Sequence, residues 1–235
     1  MLSRLISVLV VLLTALPMVL SSTAPAGADA VTDQTMLVAK AANTVERLRR
    51  DTGLQRDLEN RLSRARAVLI VPDLVKGGFI LGAEWGTGVL LTRDATGQWS
   101  GPAFYSVASG SVGLQLGVQD AEAIFVIMSD AGLRAIMENR FKAGADAGIA
   151  VAHVGAGAEA STTSNTGADI YAFNKAMGAY GGASLEGSGI LPRHSWNAAY
   201  YGGNPTPEDI VIARRLDSPQ AARPQIARLR DVLGR

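Results

Sequence analysis

Between residues 31 and 66, apolar side chains return every three or four positions: Val38, Ala41, Ala42, Val45 and Leu48. That spacing predicts a helix, begun near Asp33 and stopped at Asp51-Thr52-Gly53. A shorter pattern, Leu54, Leu58, Leu62 and Ala65, predicts a second helix, and Arg47, Arg50, Arg61 and Arg64 lie opposite the two stripes. From Ala67 the pattern changes. Residues 67–71 are an apolar run closed by Pro72-Asp73, followed by short segments at 78–83 and 88–92 and a turn at Asp94-Ala95-Thr96-Gly97. Further strands are predicted at 104–109, 112–118, 124–128, 147–154, 169–173 and 178–185. One helix interrupts them, running from Ser129/Asp130 to about Phe141, with Leu133, Ile136 and Met137 facing inward. Past Tyr200-Tyr201-Gly202-Gly203, Pro207 with Glu208 and Asp209 opens a helix to about Leu216, and 224–233 forms another ended by Gly234. Glycines inside the strand segments (Gly82, Gly113, Gly117, Gly148) point to bulges, curvature or close backbone approach. The predicted class is α+β: a curved or barrel-like, glycine-rich, mainly antiparallel sheet with N-terminal and C-terminal helices. With so few helices between strands, a doubly wound sheet fits less well.

The first thirty residues read differently. Arg4 precedes an apolar run at 5–20, and Ala26-Gly27-Ala28 and Ala28-Asp29-Ala30 offer small-residue cleavage sites. This is the pattern of a secretory signal peptide, 1–28, cut after Ala28 or after Ala30. The competing reading is an uncleaved anchor, but sixteen residues interrupted by Thr14 and Pro17 fall short of the roughly 20 that a span requires. The expected location is therefore outside the cytoplasm: periplasm or cell envelope, or secreted.

Charge divides the rest. Residues 31–66 carry eight basic and five acidic side chains, residues 67–203 seven and eleven, and residues 204–235 six and four. Two basic ends thus flank an acidic middle, and 23 of the 26 glycines fall between Gly77 and Gly203. The divisions expected are a helical basic segment at 31–66, a sheet core at 67–203 and a C-terminal helical extension at 204–235. The formal net charge of +1 argues against a nucleic-acid partner. A basic amphipathic helix can lie on an anionic membrane, or it can pack its stripe on the domain and leave its charges in water. The pattern alone leaves both open.

Catalytic chemistry is hard to find. With no cysteine, thiol nucleophiles, disulfides and Cys-ligated metals are excluded. Gly155-Ala156-Gly157-Ala158-Glu159-Ala160 matches a dinucleotide fingerprint in spelling, but a polar Ser161-Thr162-Thr163-Ser164-Asn165 follows and Lys175 stands where the ribose-binding acid belongs. Asp51-Thr52-Gly53 lacks the second carboxylate of an aspartic-protease pair. Asp120, Glu122 and Asp130 match no calcium-loop spacing and read as a solvated strand end. His153 reads as a structural histidine in an apolar stretch, and His194, beside Arg193 and Trp196, as a loop residue able to meet a ligand. The expectation is a non-enzyme with no cofactor and no metal.

A run of motifs resembles the SYLF lipid-binding domain family: Ala67-Val68-Leu69-Ile70-Val71-Pro72, Lys76-Gly77-Gly78-Phe79-Ile80-Leu81-Gly82 and Gly86-Thr87-Gly88-Val89-Leu90. The likeness continues through Trp99-Ser100-Gly101-Pro102, Gly110-Ser111-Val112-Gly113, Gly182-Ala183-Ser184-Leu185-Glu186-Gly187 and Tyr200-Tyr201-Gly202, so that 31–203 reads as a domain of this kind. The resemblance implies a lipid-binding module. Relatives of this family bind phosphoinositides, some carry SH3 or FYVE modules and engage actin, and exported bacterial members are single-domain. The resulting expectation is a protein that binds anionic phospholipid at a membrane surface through Arg47, Arg50, Arg61, Arg64 and Lys76. The alternative is a structural or adhesive envelope protein that binds another, unidentified protein.

Overall fold

A computed structural model describes residues 26–78, 81–112, 119–138, 151–155, 167–176 and 189–235. Residues 1–25 of the expected signal peptide, the strand expected at 178–185, the continuation of 112–118 past Val112, and the glycine-rich motif past Gly155 lie outside these residues. So does Phe141.

Helix α1 (Ala26–Arg49) and helix α2 (Gln55–Leu62) precede four strands: β1 (Ala67–Gly78), β2 (Leu81–Thr92), β3 (Ala103–Val112) and β4 (Gln119–Ile127). Then come α3 (Asp130–Met137), β5 (Val151–Gly155), β6 (Ile170–Ala176), β7 (Gly189–Pro192), α4 (His194–Tyr201), α5 (Pro207–Val211), a short 3-10 turn and α6 (Arg223–Gly234). The seven strands form one open, curled sheet in the order β5-β6-β4-β1-β2-β3-β7. Six of them run antiparallel to their neighbours, and β5 joins the edge of β6 in parallel. The curl is evident in α3, which follows β4 and yet packs against β7 at the far edge.

Both faces of the sheet are covered. Val68, Ile70, Val89, Leu91, Phe104, Ile124, Val126 and Phe173 face α1, α2, α4 and α6, while Leu69, Val71, Leu90, Tyr105, Phe125 and Ile127 face α3 and α5. Residues 67–71 therefore read as an unbroken apolar run because alternate side chains enter two different cores. The stripe Val38, Ala41, Ala42, Val45 and Leu48 is fully buried against the first face, beside Ile226, Leu229, Val232 and Leu233 of α6.

Several elements differ from the sequence expectation. β1 does not stop at Pro72-Asp73. Its pairing with β2 passes from Ile70↔Val89 to Asp73↔Thr87, and with β4 from Val71↔Ala123 to Leu74↔Ala121, so β1 holds one extra residue against both neighbours. A bulge there tolerates a proline without a donor inside a central strand. Residues 81–83 and 88–92, expected in separate segments, lie in the single strand β2, while Gly78 ends β1. Gly86 and Gly88 sit opposite the bulge, where a Cβ would lie 2.7 Å from the Asp73 carbonyl oxygen and 2.8 Å from that of Ile70. No side chain fits in that gap.

His194 is not in a loop: it opens α4, and the helix is docked by Asn197. The fully buried Asn197 amide accepts from the Phe104 N–H at 2.8 Å and donates to the Phe104 carbonyl at 3.3 Å, filling the place of a strand neighbour. α5 is shorter than expected and ends at Val211. The chain then turns through Arg214, whose φ of 52° is rare for a non-glycine residue. There the guanidinium bonds the Asp94 carboxylate and donates to the carbonyls of Gln98 (2.8 Å) and Thr92 (3.2 Å). These contacts tie the C-terminal segment to the β2–β3 turn. The start of α3 is as expected, with the Ser129 hydroxyl accepting from the Gly132 N–H at 3.0 Å.

Candidate functional site: a basic corner and an amphipathic groove

The five basic residues singled out by sequence do not form one surface. Arg47 lies half-exposed at its tip, but its Nε donates to Glu122 Oε2 at 3.0 Å and its Nη2 to Oε1. Glu122 is not at a solvated strand end. It is buried on β4, where the Thr44 hydroxyl also donates to it at 3.3 Å. This bidentate pair fastens α1 to the sheet, and the hydrogen bond donated to Glu122 raises the pKa of the Arg47 guanidinium further. Arg61 stacks on the ring of Tyr171, its guanidinium carbon 3.7 Å from the centroid. Arg50 and Arg64 project into water, Arg50 loosely paired with Glu46 at 3.5 Å and Arg64 bonded to the Asn60 carbonyl at 3.1 Å. Arg56, on the same corner between α1 and α2, is also exposed. Lys76 takes its place in β1 opposite Glu84 and Gln119, and its side chain lies outside what the structure describes, as does that of His153. Asp130 accepts from Arg66 Nε at 2.8 Å. Among the described residues no group of three or more His, Asp or Glu could hold a metal ion, and no helix is long and apolar enough to cross a membrane.

A second feature was not anticipated. An open groove of about 580 Å³ runs between the first half of α1, the ends of β1, β2 and β3 beyond the bulge, and the β7–α4 junction. The α1 wall presents Asp33, Met36, Leu37 and Lys40, spaced for one helix face. Trp85 stands 53% exposed and Met36 52% exposed, so two large apolar side chains lie open to water in one cleft. Lys40 Nζ reaches Asp73 Oδ2 at 2.7 Å, joining α1 to the bulge. Arg193 lies over the ring of Trp196 at 3.9 Å and donates from Nη1 to Thr87 Oγ1 at 2.7 Å. Burial lowers the pKa of its guanidinium. The sequence offered one signal for this groove, the proximity of Arg193 and Trp196. Trp85 and Thr87, some hundred positions away, meet them only through sheet pairing.

The described residues thus combine a curled sheet with helices on both faces, a solvent-facing basic corner and an amphipathic groove. By comparison with known families, the chain belongs to the Ysc84 family, described as "Las17-binding protein actin regulator", which matches residues 108–233. It is 31% identical over 166 residues to "Protein YSC84" of Saccharomyces cerevisiae, covering 69% of this chain and 35% of that protein. It is 28% identical over 166 residues to "LAS seventeen-binding protein 3" of the same yeast, covering 69% and 36%. With "SH3 domain-containing YSC84-like protein 1" of Xenopus laevis it shares 29% over 135 residues, covering 57% and 40%. The chain thus spans about a third of the length of the first curated relatives it matches. Of these names, "LAS seventeen-binding protein 3" is that of a binding protein.

Proposed function

We infer that this chain is a non-enzymatic module that associates with anionic phospholipid at a membrane surface. The observation that carries this reading is the corner between α1 and α2, where Arg50, Arg56 and Arg64 point into water while their neighbours Arg47 and Arg61 are engaged by the sheet. Each cation near an anionic surface contributes on the order of 1 kcal/mol, and the effect fades within a Debye length of about 8 Å at physiological salt. The apolar stripe of α1 lies in the core, so membrane contact at this corner is charge against charge rather than insertion of the helix. Its salt dependence is correspondingly steep. Flotation of the full chain with phosphatidylglycerol-containing vesicles should succeed at low salt and fade at high salt. The R50Q/R64Q variant should lose most of it with an unchanged melting curve. Salt-independent flotation, or flotation unaltered in the variant, overturns the reading.

Export to the cell envelope is part of the same proposal, supported by Arg4, the apolar run at 5–20 and the small-residue sites that follow. The native protein should begin at Asp29 or Val31, and a mature pool that retains Met1 refutes it. The second reading, a module that binds a protein partner, is favoured by the "LAS seventeen-binding" name of a relative. It gains ground if the folded chain fails to float with any anionic vesicle.

A further inference from the structure

The groove carries more than the surface reading uses. Arg193 is half-buried, stacked and hydrogen-bonded through a single nitrogen, and among the described residues no carboxylate pairs with it. A guanidinium removed from water without an anion has remaining donors that fit two oxygens of a phosphate or carboxylate. The hydroxyl of Thr87, held by Arg193, and that of Ser106 line the same cleft. Across from them Trp85 and Met36 offer apolar surface in contact with water. An oxyanion site beside an exposed apolar wall suits an amphiphile, and about 580 Å³ is the size of a small-molecule pocket. That volume takes a head group with its glycerol and the first methylenes, leaving the remaining acyl chain outside.

The charge of the cleft narrows the head group. Its ionic side chains are Lys40, Arg193, Asp33 and Asp73, two of each sign, and Lys40 is already joined to Asp73. Arg193 and Asp33 are left to face the ligand. One phosphodiester is matched by Arg193, whereas a polyphosphorylated head group meets the carboxylates of Asp33 and Asp73 with no further cation to offset it.

We propose that the groove between α1, β2 and α4 binds a single glycerophospholipid molecule whose phosphodiester is held by Arg193, with Trp85 and Met36 against its glycerol and proximal chain. This deepens the membrane-surface reading and rests on it for the class of ligand, but it uses different residues. The full chain is titrated with dihexanoylphosphatidylglycerol below its micelle concentration, following tryptophan fluorescence. Trp85 and Trp196 line the groove, whereas Trp99 is buried in the core. A saturable change is expected, weakened at least tenfold in R193Q and in W85A and partly retained in R193K. A short-chain phosphatidylinositol bisphosphate should bind more weakly than the phosphatidylglycerol, and sodium phosphate should compete only at far higher concentration.

Unchanged binding in folded R193Q overturns the proposal. So does tighter binding of the bisphosphate lipid, or competition by phosphate at lipid-like concentration. Should R193Q fail to fold, W85A decides alone, because Trp85 is exposed. Vesicle flotation run in parallel separates the two readings. Flotation lost in R50Q/R64Q with no titration of the wild type sinks the groove only, whereas Arg193-dependent titration without any flotation upholds the groove and sinks the surface reading.

Discussion

Arg47 and Glu122 illustrate how residue-level meaning depends on a partner 75 positions away. In sequence Arg47 is one of several arginines on a polar helix face, and in the structure it neutralises a buried carboxylate. Removing it leaves Glu122, among the described residues, with the Thr44 hydroxyl. Because Arg47 is half-exposed and water can partly replace it, R47Q should cost about 2 kcal/mol, measured by urea unfolding, and R47Q/E122Q should recover part of the loss. A double-variant cost equal to the sum of the R47Q and E122Q costs would show that the pair does not couple. Asp94 gives a pH prediction. Bonds from the Thr96 hydroxyl and the Gln98 N–H, with the Arg214 charge nearby, bring its pKa from 3.8 down to about 2. The folded state thus binds fewer protons than the unfolded chain in this interval. Its contribution to stability is whole above about pH 4 and disappears as the pH falls towards 2. D94N should flatten the stability–pH curve in that window, and a curve of unchanged slope there would refute the assignment.

At the scale of elements, the β1 bulge and the glycines of β2 form one device. The extra residue at Pro72 pushes the β1 backbone towards β2, and Gly86 and Gly88 leave room for it. G88A places a methyl group 2.8 Å from the Ile70 carbonyl and 3.0 Å from Leu69 Cδ1, and backbone at this depth has little freedom to move. It should destabilise by about 1–3 kcal/mol, read from the denaturation midpoint. A neutral effect would mean that the bulge relaxes. Close approach was expected at Gly82, Gly113, Gly117 and Gly148, whereas the glycines that face the bulge are Gly86 and Gly88. The bulge itself was not legible, because a Pro-Asp step ends a strand and interrupts one with the same two letters.

For the whole molecule, the C-terminal extension is part of the main core. Leu229 of α6 is fully buried with Val38, Val45 and the helix-facing side of the sheet. L229A should cost about 2–5 kcal/mol and shift one cooperative unfolding transition detected by both circular dichroism and tryptophan fluorescence. A separate early transition confined to the helices would show instead that α6 unfolds alone. The basic ends of the chain likewise belong to one body: α1 and α6 pack together, and Arg228 reaches Asn43 at 2.7 Å.

The sequence by itself determined the α+β class and many of the local elements, among them the helices of 31–66 and the strand at 67–71, but not β7 or α4. Helix and strand periodicities are properties of neighbouring residues, whereas the burial of 67–71 on both faces followed only from helices packing on the two sides of the sheet. The sequence also limited the chemistry, since a chain without cysteine and with two histidines leaves few catalytic sets to assemble. Only the tertiary structure decided which arginines face water. The polar face of a helix records solvent and a buried carboxylate alike, and whether Arg47 meets Glu122 or a membrane depends on where β4 comes to lie. The groove was beyond local pattern for the same reason: Met36, Trp85 and Arg193 come from three distant segments, and strand pairing and helix docking alone bring them to one cleft.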